Sequence, residues 1–90
     1  MAIGNLPIGS AYPITGTGQV KTGFGAIVGF FCSSSTSGTL TVYDSASGAS
    51  NQIVASFPLV AGQYYPLPFA LANGLYAVVG GAATGTFSAV

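Results

Sequence analysis

The stretch TLTVYD, residues 39–44, alternates apolar and polar side chains and ends on the only acidic residue of the chain. Alternation with a period of two belongs to a strand with one buried face. Leu40 and Val42 are therefore expected to point inward, and Thr39, Thr41 and Tyr43 outward. The loop SASGASN, residues 45–51, follows. Upstream, GAIVGFFC, residues 25–32, is apolar on both faces, with Ala26, Val28 and Phe30 on one and Ile27, Gly29 and Phe31 on the other. That pattern predicts a central strand covered on both sides. SSSTSG, residues 33–38, reads as a loop between these two strands.

Outward from this centre the vocabulary stays that of strands and turns, and no segment has helical periodicity with caps. Further strands are expected at residues 18–22, 52–57, 64–67, 75–79 and 86–90, with turns at AGQ (61–63), ALANG (70–74) and GGAATG (80–85). In the 52–57 strand Ile53, Ala55 and Phe57 fall on the inner face, and Pro58 ends it. Pro66 places the 64–67 strand at an edge. About seven short strands, with turn signals every ~8–12 residues, predict an all-β chain: a small antiparallel β-sandwich or jelly-roll-like domain. Residues 1–16 read as an extended N-terminal arm and residues 17–90 as the single domain. Pro7 and Pro13 break any helix in the arm, and Gly4, Gly9 and Gly16 interrupt any long strand. Leu6, Ile8 and Ile14 would be wasted in solvent there, so they pack on the domain or on a neighbouring subunit. Together with Pro7, Tyr12, Tyr64 and Tyr65 they form the expected subunit interface.

Composition narrows function by exclusion. The 90 residues carry one Lys, Lys21, one acid, Asp44, and no His. Phosphate backbones are bound by several cations, so nucleic acid is not an expected partner. The same lack of charge gives no attraction to anionic lipid. Half the residues are hydrophobic, yet the longest apolar runs fall far short of the ~20 residues a spanning helix needs. The opening MAIGNLPIGSAYP has neither a basic n-region nor an unbroken apolar one, so no secretory leader is expected. A small uncharged domain is marginal alone and poorly protected from self-association, which suits a homo-oligomer, dimer or trimer, that is always assembled.

No catalytic, cofactor-binding or metal-binding residue is expected. Cys32 is the sole cysteine, which excludes an intrachain disulfide, and it lacks the adjacent base that a reactive thiolate needs. A buried strand cysteine is the expected role. Ser–His–Asp chemistry is impossible without histidine. Lys21 reads as a solvated strand-end side chain. GTGQVKTG, residues 16–23, lacks the spacing of a phosphate-binding loop. Asp44, directly after a strand and before Ser-Ala-Ser-Gly, is expected to close an Asx-type turn on backbone N–H groups two or three residues on. Tyr64 and Tyr65 point to opposite faces of their strand, so at most one lines any one surface.

Three stretches, in order, carry a resemblance: VKTGFGAIVG (20–29), GTLTVYD (38–44) and NGLYAVVGGAATGTFSAV (73–90). Over residues 18–90 they resemble small all-β structural proteins of tailed bacteriophages, of the capsid cement, decoration or head-fibre type. The resemblance implies a viral structural protein on the outer capsid surface of the virion. There it would be a cement or decoration subunit that binds between shell subunits of the major capsid protein lattice and stabilises the phage head. A fibre or tail-tip module binding a host surface glycan is the alternative. A secreted or ice-binding surface protein is a third possibility, supported only by the single Thr-x-Thr at residues 39–41.

Overall fold

The computed structural model describes residues 10–90. It is a small all-β domain in which six antiparallel strands form one hydrogen-bonded sheet. The strands are β1 (Ser10–Ile14), β2 (Gly18–Thr22), β3 (Gly25–Tyr43), β4 (Gln52–Pro58), β5 (Tyr64–Leu71) and β6 (Gly74–Ala89). Two of them, β3 and β6, are long and pair with each other from Ile27↔Ala89 to Tyr43↔Tyr76. The short strands flank this pair. At one end β5 pairs with β3 and β1 with β6; at the other, β4 pairs with β3 and β2 with β6.

Six strands replace the expected seven: β1 is added from the expected arm, and two pairs of expected strands merge into β3 and β6 because SSSTSG and GGAATG are not free loops. They lie opposite each other within β3 and β6, with Ser34↔Thr84, Ser35↔Ala83 and Thr36↔Ala82 in register. Register shifts fall on either side, between Cys32 and Ser34 and between Thr36 and Thr39. Such bulges bend a strand without ending its pairing. At the bend Ser37 and Gly81 both take left-handed conformations, at φ 54° and 67°. A Cβ on Gly81 would meet the Ser37 carbonyl oxygen, so only glycine fits there.

The bend is deep. A straight strand of this length would run roughly 60 Å, whereas the longest dimension of the molecule is 41 Å. Its consequence shows at the tip of β5. Leu71 pairs with Gly25 at the start of β3. The next residue, Ala72, donates its N–H to the carboxylate of Asp44, directly after the end of β3. The two ends of one strand are thus held at neighbouring residues.

Among the described residues one apolar cluster forms the core. Phe30 and Phe87 pack with ring centroids 4.7 Å apart, surrounded by Ile27, Leu40, Val42, Leu67, Leu71 and Leu75. Leu40 and Val42 are buried as the alternation predicts. Three other assignments differ. A bulge between Ile27 and Gly29 shifts the phase, so Ile27 and Phe30 both turn inward and Phe31 faces solvent; β3 is central but not covered on both sides. Shifts between β3 and β4 bring Ile53, Val54 and Phe57 against the core and leave Ala55 exposed. Thr41, on the face opposite Leu40 and Val42, is buried instead of exposed.

Residues 10–14 of the expected arm are part of the sheet as β1, with Tyr12↔Phe87 and Ile14↔Gly85 in register. Replacing Phe87 with Ala removes half of the central aromatic pair from a site with no solvent exposure. We expect a loss of about 3–5 kcal/mol in urea unfolding. A loss below ~1 kcal/mol would place Phe87 outside the core.

Candidate interaction surface

Two features of the fold are available to do something: a buried carboxylate and an uncharged exposed sheet face. Asp44 has only 8% of its surface exposed. Its Oδ1 accepts N–H bonds from Asn73 at 2.8 Å and Gly74 at 3.2 Å, and both its oxygens lie within reach of the Ala72 N–H at 3.0–3.1 Å. The expected local Asx turn is therefore corrected: the partners lie about 28 residues away in the β5–β6 turn. The local turn is made by Ser45, whose Oγ accepts from the Ser47 N–H at 3.1 Å. The Gln19 amide reinforces this corner, with the Lys21, Ser45 and Leu75 carbonyl oxygens all at 2.7–3.0 Å from its nitrogen. The backbone donors at Ala72 and Asn73, aided by Gly74, hold the Asp44 carboxyl below its ordinary value of 3.8, against the opposing effect of burial.

The other chemically distinctive side chains are occupied. Lys21 Nζ donates to the Phe24 carbonyl at 3.3 Å. Cys32 is fully buried, and its thiol donates to the Ser34 carbonyl at 3.3 Å. Among the described residues no cluster of His, Cys, Asp or Glu could hold a metal, and no cavity opens at the surface.

The expected interface residues that are described lie on two strands, β1 and β5. Leu6, Pro7 and Ile8 lie outside the described residues. Tyr12 and Ile14, on β1, are half-buried against the core. Tyr65, on β5 across the sheet, is also half-buried; its ring packs on Phe57 at 5.2 Å and its hydroxyl accepts the Val60 N–H at 2.8 Å. Of the described members of the set, Tyr64 is the one that is exposed, at 49%.

Tyr64 belongs to a different constellation. It is the register partner of Phe31, which is 43% exposed, and cross-strand partners share a face. The row continues through Thr86 on β6 to Pro13 on β1. A second row runs beside it through Pro66, Gly29, Ser88 and Ala11. Tyr64 lies over Gly29, where a Cβ would strike its hydroxyl. The result is a four-strand outer face without a charge. Phe31 was missed because both faces of β3 were expected to be covered. Adjacent strand residues point to opposite faces, so only one of Phe30 and Phe31 enters a core that covers a single face. Phe24, 85% exposed in the β2–β3 turn, and Phe69 on β5 are further exposed aromatics.

The edges of the sheet are all blunted. β5 carries Pro66 and Pro68, β1 carries Pro13, β2 has a bulge, and β4 has two register shifts and ends on Pro58. Proline and bulges are how proteins prevent strand addition at an edge.

No family model, curated protein or solved structure matches the chain. The identification as a bacteriophage virion, capsid, cement or decoration protein is corrected on that finding: with no homologue behind it, it rests on short stretches of common strand-and-turn residues.

Because the folded Asp44 carboxyl lies below its ordinary value, its contribution to stability is complete above about pH 5 and is lost as pH falls through the folded value. The slope contributed by one such proton is at most ~1.4 kcal/mol per pH unit. Asp44→Asn should remove this acid dependence and lower stability at neutral pH by about 1–3 kcal/mol. An acid slope in urea unfolding that is identical in wild type and variant would contradict the assignment.

Proposed function

We propose that this chain is a non-catalytic structural subunit that docks its uncharged β5–β3–β6–β1 face onto a larger protein assembly and works as a homo-oligomer. The observation that carries the reading is that face, with Phe31 and Tyr64 in register at its centre and no charged side chain in either row. Aromatic residues on an uncharged surface supply contact area that is cheap to desolvate, and Tyr adds a polar tip. Stabilisation then follows from mass action: a subunit that binds the assembled array and not its separated parts shifts the equilibrium toward the array.

Three things favour a structural role over catalysis. There is no histidine, the one acid is committed to backbone donors, and the one thiol is buried. Face docking is favoured over strand addition because all four edges are blunted and the 10–14 segment already pairs within its own chain.

The bent sheet is best read as a small β-sandwich. Consecutive residues Leu71 and Ala72 touch opposite ends of β3, and Phe57 of β4 packs on Tyr65 of β5 although the two strands flank different halves of the long pair. Stacked half-sheets account for both contacts.

A second reading, glycan binding, is favoured by the exposed Tyr64 ring beside Phe31. Tyr65 does not share in it, since its ring and hydroxyl are both engaged internally. The double variant Phe31→Ser/Tyr64→Ser tests both. We expect thermal unfolding to change little, because both side chains are exposed, while self-association in sedimentation velocity and co-sedimentation with large assemblies from the source are lost. Retained assembly with lost binding on a glycan array would favour the second reading. Unchanged behaviour in both assays would overturn the use of this face.

A further inference from the structure

The Asp44 carboxylate grips a dipeptide with chemistry of its own. Asn73 precedes Gly74 in the turn between β5 and β6. The Asn73 side chain sits on an exposed residue, whereas Gly74 is buried. In an Asn–Gly pair no Cβ on the second residue obstructs approach of its backbone nitrogen to the Asn side-chain carbonyl carbon. The Gly74 nitrogen can form a bond to Asn73 Cγ while the Cγ–Nδ2 bond breaks, and ammonia leaves with the proton of the Gly74 N–H. Water then opens the five-membered imide at either carbonyl, giving aspartate or isoaspartate at position 73.

In the closed fold this nitrogen is unavailable on two grounds. Its hydrogen is held by Asp44 Oδ1 at 3.2 Å, and the nucleophile forms only by losing that proton beside a negative charge, which disfavours it. The residue itself is buried and closely packed at its Cα. A Cβ built on Gly74 would lie 2.7 Å from the Lys21 carbonyl oxygen and 2.8 Å from that of Ser45. The neighbouring carbonyl of Asn73 is fixed as well, accepting the Gly23 N–H at 2.8 Å.

We propose that Asn73–Gly74 is a self-modification site, kept silent by Asp44, that converts only while the β5–β6 turn is open. The conversion is one-way. A carboxylate at position 73 places a second negative charge in the turn that already binds Asp44. Isoaspartate adds a backbone carbon between donors that now converge on one oxygen. Either product weakens the closure it escaped from, so the modified fraction records the time each molecule has spent open.

The test is peptide mass spectrometry at residue 73 after incubation in mildly alkaline buffer. The native protein, the same protein in denaturant, and Asp44→Ser are compared. Native conversion should be at least about tenfold slower than in the denatured chain, the effect of a modest local opening energy. Asp44→Ser should raise the native rate toward the denatured one. Equal rates in native and denatured wild type would overturn the proposal, as would a folded Asp44→Ser that converts as slowly as wild type. If Asp44→Ser does not fold, hydrogen exchange of the Gly74 amide in low urea decides. Conversion should rise in step with exchange of that amide, and conversion that ignores it would overturn the proposal.

Discussion

One buried carboxylate closes this fold. The paired strands β3 and β6 are bent near their middle, where Ser37 and Gly81 take left-handed conformations. A bend of that kind is a hinge unless its far ends are tied. Asp44 ties them, by accepting three successive N–H groups from the turn that follows Leu71, itself paired with the first residue of β3. A carboxylate is suited to the place because it offers about four acceptor sites and no donor, so one side chain satisfies a cluster of amides that the sheet cannot. This answers why a chain so nearly free of charge keeps an acid here. It acts as a tie between distant segments.

The near absence of other charges shapes the exterior. Soluble monomers usually keep charges of both signs at the surface, which limits association. Here protection is confined to the edges, where prolines and bulges interrupt β1, β2, β4 and β5. Among the described residues, the broad face through Tyr64, Phe31, Thr86 and Pro13 has no such device. Protein surfaces that reject edge pairing yet leave an aromatic face open are suited to specific face packing, and that contrast is the strongest support for an assembly role.

Much of this was legible in the sequence, and the misses share one cause. The alternation of Leu40 and Val42 declares an inward face within a window of five residues, and β2 falls on its expected bounds. Local patterns could also say that Tyr64 and Tyr65 part company. What a local window cannot show is a partner. SSSTSG and GGAATG each look like a loop alone, and become strand because they lie opposite one another. The bulge at Val28, which turns Phe31 outward, is set by pairing with β6 and leaves no mark in GAIVGFF. The donors to Asp44 lie in the next turn but one, so its role as a tie was invisible beside its resemblance to a local turn former.

The most direct measurement is quantitative mass spectrometry of this chain across a density gradient of its source material, with sedimentation velocity of the purified protein alongside. The account predicts that the chain travels with large assemblies, in fixed proportion to another abundant structural protein, and that the isolated protein is larger than a monomer. A chain found only in the slow fractions, sedimenting as a monomer, would contradict it.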